Sequence, residues 1–310
     1  MTSTTNGSTS RPAFGRMLTA MVTPFDAAGE VDLKQAQRIA RALIETGTQG
    51  IVVAGTTGEA PTLSHAEKLD LFRAVKEAAA KDAVVLAGTS TYDTRDSIEL
   101  SKDAERAGVD GLLLTAPYYN RPSQEGLYRH FESIAAAVNI PAVLYNIPSR
   151  TGINVNADTI VRLSHVPNII GDKEASGSLD AVSTIVENST DGFLVWSGDD
   201  GFTLPLLSLG GYGVISVCSH IIGRQMRSLI EDFVAGRVVE AAATHRRLLP
   251  LINAVMAGPA ANPVPIKHVM NQLGMNVGGV RLPLYDLDAD QSAKLMTEVR
   301  KHTMDLPVGV

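Results

Sequence analysis

Eight short apolar runs, each followed by a longer stretch of helical character, pass through this sequence in turn. They occupy residues 17–23 (MLTAMVT), 51–54 (IVVA), 84–87 (VVLA), 112–115 (LLLT), 142–145 (AVLY), 169–171 (IIG), 193–196 (FLVW) and 213–217 (GVISV). Hydrophobicity within them is continuous rather than alternating, as in strands covered on both faces of a parallel sheet. Successive runs start roughly 20–34 residues apart, the length of a strand–helix unit. Residues 64–80 show the helical partner: Ser64-x-x-Glu67 is a capping box, and Leu69, Phe72, Val75 and Ala79 recur at helical spacing. Eight units predict an α/β fold, a (β/α)8 TIM barrel over residues 14–220. A doubly wound sheet is the alternative, since periodicity does not show closure.

After the eighth run, residues 223–235, 238–256, 265–273 and 288–302 read as helices. They make 221–310 a C-terminal helical extension packed on the barrel, a candidate oligomer contact. Residues 1–13 are polar, with no apolar core for a secretory signal, and are expected to form a disordered tail. The 310 residues are 45% hydrophobic and carry a net charge of −6, which argues against nucleic acid or anionic membrane as partners. No apolar stretch reaches the length of a membrane span. A single cysteine, Cys218, allows no internal disulfide and suits a reducing, cytoplasmic setting.

In a parallel barrel the strand C-termini share one mouth, where catalytic groups gather. Here those ends deliver Thr56 and Thr57, then Tyr118, Tyr119 and Asn120, then Tyr145 and Arg150, then Lys173, then Ser197 to Asp200, with Ile215 in the last strand. Cys218 and His220 are too few for a metal site, and neither a P-loop nor a GxGxxG motif is present. With no metal or cofactor expected, the reactive group must be a side chain. Lys173 is the candidate: a neutral amine condenses with a ketone to an imine, which activates the adjacent carbon. A lysine of ordinary pKa is neutral in only about one molecule in 2,500 at pH 7, so burial is required. From the residues alone, a structural ion pair for Lys173, core tyrosines, helix-capping threonines and a solvated Arg150 stay open.

The stretches GTTGEAPTLS, PYYNRPSQEGLYRHF, LYNIPSRTG, GDKEASG, SGDD, GGYGVISV and NPVPIKHVMNQLG are together similar to the dihydrodipicolinate synthase family, in the family's order from about Phe14 onward. The resemblance implies a Schiff-base-forming lyase that condenses pyruvate with L-aspartate 4-semialdehyde in lysine and diaminopimelate biosynthesis, without a cofactor. It assigns the imine to Lys173 and a proton relay to Thr57, Tyr119 and Tyr145, with Tyr119 reaching into a neighbouring subunit of a homotetramer. Thr56 would hold pyruvate's carboxylate and Arg150 that of the aldehyde, with Gly198 and Ile215 lining the site. Related class I pyruvate aldolases, of the N-acetylneuraminate lyase or keto-deoxy-sugar type, lack the call for Arg150; a non-catalytic pyruvate-binding paralogue would not need the relay. A phosphate-binding isomerase would want a glycine-rich cup where SGDD stands.

The family's lysine-effector pocket is matched by His65 and Tyr118, but Lys68, Tyr92 and Asp96 depart from the pattern. An ammonium at Lys68 should repel a cationic effector, so weak or absent inhibition by lysine is expected. Asp172 also departs, since an apolar residue is usual there. Strand alternation points it away from Lys173, toward the surrounding helices.

Overall fold

In the computed structural model, which describes residues 14–258 and 260–306, the eight runs form one closed parallel barrel, each strand paired with the next and β8 with β1. The strands are β1 Met17–Ala20, β2 Gly50–Val53, β3 Val84–Gly88, β4 Gly111–Thr115, β5 Ala142–Asn146, β6 Ile169–Glu174, β7 Leu194–Ser197 and β8 Gly213–Ser216. Closure excludes the doubly wound alternative. The expected tail at residues 1–13 lies outside the described residues.

Helices α1 Leu33–Glu45, α2 His65–Ala79, α3 Thr94–Arg106, α4 Gln124–Ala135, α5 Pro148–Thr151, α6 Ala157–Leu163, α7 Leu179–Asn188 and α8 Thr203–Ser208 alternate with the strands. The capping box at the start of α2 is present: Ser64 accepts from the Glu67 N–H while the Glu67 carboxylate takes the Ser64 N–H. Strand β1 stops at Ala20, three residues short of its apolar run. Beyond it the Val22 N–H donates to His220 Nε2 rather than continuing the ladder.

Two apolar layers result. Leu18, Val52, Leu86, Leu113, Val143, Tyr145, Trp196 and Ile215 fill the barrel's interior, while the opposite strand faces pack under the helices. Strand β6 breaks this alternation. Ala142 is level with Ile169 but Val143 with Gly171, so Ile170 is an extra residue, a bulge. The bulge brings β6 against β7 so closely that a Cβ on Gly171 would lie 2.2 Å from the Leu194 carbonyl oxygen. Only glycine fits.

Four further helices follow the barrel: α9 Ser219–Val234, α10 Val238–Met256, α11 Val264–Gln272 and α12 Ala289–Val299. Helix α9 begins four residues earlier than the sequence pattern indicates, with a non-helical break at Ile222. The segment is anchored to the barrel mouth. Lys267 Nζ donates to Glu59 Oε1 and to the Thr23 carbonyl, both at 2.9 Å, and the Arg281 N–H donates to Glu59 Oε2 at 2.9 Å.

Candidate active site

Lys173 sits near the end of β6, level with Tyr145 of β5 and Trp196 of β7, and so faces the barrel interior. Its side chain is buried, and Nζ lies 4.2 Å from the centroid of the Tyr145 ring. Burial pulls the ammonium pKa down to about 7; Asp200 opposes that shift and Arg150 adds to it. A lowered pKa of this kind makes an amine available as a nucleophile at neutral pH. Gly198 supplies the space: a Cβ there would stand 3.3 Å from Lys173 Cε and 2.7 Å from the Ala175 Cβ.

Asp200 is itself buried, its carboxylate accepting from the Ser216 hydroxyl and from the N–H groups of Val217 at 2.9 Å and Cys218 at 3.2 Å. Burial raises its own pKa, and its charge opposes the lowering of the Lys173 pKa. The SGDD stretch displays it in sequence, but nothing in the pattern tells Asp200 from Asp199.

The Tyr145 phenol is held protonated, burial raising its pKa to about 12. Its threonine neighbour is Thr56, whose side chain interacts with the phenol. The two threonines have different neighbours. Thr57, expected in the relay with Tyr145, is buried, and its Oγ1 accepts from Asn262 Nδ2 at 3.0 Å, which leaves its own hydrogen to be donated elsewhere. Neighbouring loop residues point in different directions, and the motif GTTGE does not reveal which threonine meets the tyrosine.

Arg150, on α5, lines a cavity of about 260 Å3 together with Thr56, Lys68, Ser90, Thr115 and Tyr118. Thr56 thus belongs both to this cavity and to the surroundings of Tyr145. The Arg150 guanidinium donates from Nη2 to the Asn262 carbonyl at 3.1 Å. Asn262, in the NPVPIKHVMNQLG stretch, therefore touches two site residues, a role its sequence position some ninety residues away from Lys173 does not suggest. Ile215 is buried in the interior layer below.

Other expected residues divide. Among the described residues no Asp or Glu lines the cavity, and burial lowers the pKa of Lys68. Of the expected effector-pocket set, Lys68 and Tyr118 reach the cavity. His65 instead meets Asp103 at 2.8 Å, Tyr92 packs edge-on against Tyr118, and Asp96 lies in the first turn of α3. Tyr119 is 92% exposed, with a left-handed φ of 75°, so this chain does not bring it to Lys173. Asp172 is level with Leu144 and Val195 of the outer layer, away from Lys173 as alternation requires. It is fully buried, and neither carboxyl oxygen has a hydrogen-bond partner among the described residues.

A buried amine of lowered pKa, an un-ionised phenol beside it and an arginine at the mouth are the parts needed to bind an oxo acid as an imine and to hold a second anionic substrate. Residues 13–302 match the profile of the Dihydrodipicolinate synthetase family. A 4-hydroxy-tetrahydrodipicolinate synthase of Moorella thermoacetica is 52% identical over 288 residues, 93% of this chain and 98% of that protein. The structure of the Cyanidioschyzon merolae enzyme with lysine bound superposes with a TM-score of 0.91 at 45% identity, covering 93% of this chain and 97% of that one. A monomeric dihydrodipicolinate synthase variant matches at a TM-score of 0.89 and 36% identity, over 93% and 96% of the two chains.

Proposed function

The chain belongs to the dihydrodipicolinate synthetase family, and from that premise we propose that it is a 4-hydroxy-tetrahydrodipicolinate synthase, condensing pyruvate with L-aspartate 4-semialdehyde through an imine on Lys173. The observation that carries the residue assignment is the buried Lys173 amine beside Tyr145 at the barrel mouth. Neutral Nζ adds to C2 of pyruvate, and the carbinolamine loses water to give the imine. Loss of a C3 proton yields the enamine, whose C3 bonds to the aldehyde carbon while the aldehyde oxygen takes a proton. The substrate's own amine then adds to C2 and displaces Lys173, closing the ring and freeing the enzyme.

Tyr145 is the group placed to hand protons on and off the carbinolamine oxygen, since its phenol stays protonated beside the amine. Thr56, which interacts with Tyr145 and lines the cavity, continues that path toward solvent. Thr57 takes the role of carboxylate donor for pyruvate, exchanging functions with Thr56 relative to the sequence expectation. Arg150 holds the aldehyde's carboxylate. Tyr119 serves a neighbouring subunit in a homotetramer, or at least a tight homodimer.

Borohydride reduction in the presence of pyruvate, followed by intact mass measurement and peptide mapping, tests this reading. A pyruvate-sized adduct on Lys173 is expected. A folded protein that forms none would overturn the mechanism and favour a paralogue that does not turn over.

A further inference from the structure

Asn262 lies between α10 and α11, yet it meets the site at both ends. Its side-chain Nδ2 donates to Thr57 Oγ1 and its carbonyl accepts from Arg150 Nη2. The residue is only 6% exposed, and its Oδ1 is buried without a partner among the described residues.

We propose that Asn262 is a positioning residue for the condensation: its amide commits the Thr57 hydroxyl to donate toward the carboxylate of the 2-oxo acid, and its carbonyl sets Arg150 for the carboxylate of the aldehyde. The proposal rests on the imine reading of Lys173 given above. A hydroxyl has one hydrogen to give, and an amide N–H occupying a lone pair of Thr57 Oγ1 leaves that hydrogen for a ligand. The opposite arrangement, with an acceptor facing Thr57, would draw the hydrogen inward and leave the ligand facing lone pairs. On the other side, one Nη2 hydrogen bond to Asn262 anchors that end of the guanidinium and leaves its other N–H groups for a carboxylate.

The loop that carries Thr57 cannot easily compensate for loss of this contact. Glu59, two residues on, has a left-handed φ of 56° and is held by Lys267 Nζ and the Arg281 N–H. Residues 262–281 therefore grip the loop at Thr57 and at Glu59, and the direction of the Thr57 hydroxyl is left to Asn262.

The test is Asn262→Ala, Thr57→Ala and the double variant, read by borohydride trapping against pyruvate concentration and by separate KM values for the two substrates. Asn262→Ala should raise the half-saturating pyruvate concentration roughly tenfold, the effect of a lost hydrogen bond to a charged group. KM for the aldehyde should move less than twofold, because alanine keeps the backbone carbonyl that Arg150 uses. The double variant should trap no worse than Thr57→Ala, since one residue acts through the other. Asn262→Asp, nearly the same shape, serves if the alanine variant does not fold. Its carboxylate would accept the Thr57 hydrogen and should weaken pyruvate at least as much. Unchanged pyruvate saturation in the variant that folds, or additive losses in the double variant, would overturn the proposal while wild-type trapping on Lys173 left the function intact. Absence of wild-type trapping would sink the function itself.

Discussion

Lys173 Nζ and the ring centroid of Tyr145 are 4.2 Å apart, brought together because the two residues are level across β5 and β6. In the proposed reaction the pair would divide the work of imine formation between an amine whose pKa burial lowers and a phenol that the same burial keeps protonated.

With a pKa of about 7, half of the Lys173 amine is neutral at pH 7, about a thousandfold more than for an exposed lysine. The initial rate of borohydride trapping at fixed pyruvate should rise with pH through about 7 and level off above it. A profile still climbing steeply from pH 9 to 10.5 would show the amine to be unshifted. Lys173→Arg should abolish the adduct and lower kcat on the order of 10⁴-fold or more.

Tyr145→Phe removes the phenol but keeps the ring. A loss of roughly 10²–10⁴ in kcat, with the fold unchanged, is expected from removal of a general acid–base group. Thr56→Val should lower kcat in the same direction and Thr57→Val should act mainly on pyruvate saturation; the reverse outcome would restore Thr57 to the relay.

Asp172 costs the fold stability. Burial, reinforced by Glu174, raises its pKa well above the usual carboxylate range, so the folded state holds a proton that the unfolded chain gives up. Stability is then present below the unfolded pKa and lost as pH rises through the folded one. Asp172→Val, which removes two unpartnered oxygens, should stabilise the protein by at least ~1–3 kcal/mol at pH 8 in urea unfolding. The gain should shrink toward pH 4. A variant less stable than wild type at pH 8 would reveal a partner for the carboxyl.

Lys267 and Glu59 form a buried ion pair at 2.9 Å, both side chains almost wholly out of solvent. Glu59→Gln strands the ammonium and should cost ~3–5 kcal/mol by urea unfolding. Replacing both residues with apolar ones removes the charges but leaves the Thr23 carbonyl and the Arg281 N–H without these partners, so it should cost only somewhat less; a larger loss in the double variant would show that the pairing is not what matters.

Lysine at millimolar concentration should inhibit weakly or not at all, because Lys68 and Arg150 line a cavity in which no carboxylate offsets them. Lys68→His should increase sensitivity. Micromolar inhibition of the wild type, measured by initial rates, would sink the expectation.

The barrel was legible because strands buried on both faces leave unbroken apolar runs, and the end of each run points at the mouth. Lys173, Tyr145 and Arg150 could be found that way. Which threonine of the pair neighbours Tyr145 could not, since a loop has no period to say where each side chain turns. Asn262 was hidden for another reason: its neighbours are set by the path of helices beyond the barrel. Helix α5 leaves no amphipathic pattern in the sequence, being only four residues that begin with Pro148.

The extra residue in β6 has a consequence for what the barrel holds. From Ile169, which faces outward, strict alternation would send Asp172 into the interior and Lys173 out beneath the helices; Ile170 reverses the count. Whether the mouth contains an amine or an acid is thus a question of parity. One residue more or fewer before Asp172 would exchange a nucleophile for a carboxyl group without altering any chemistry in the sequence itself.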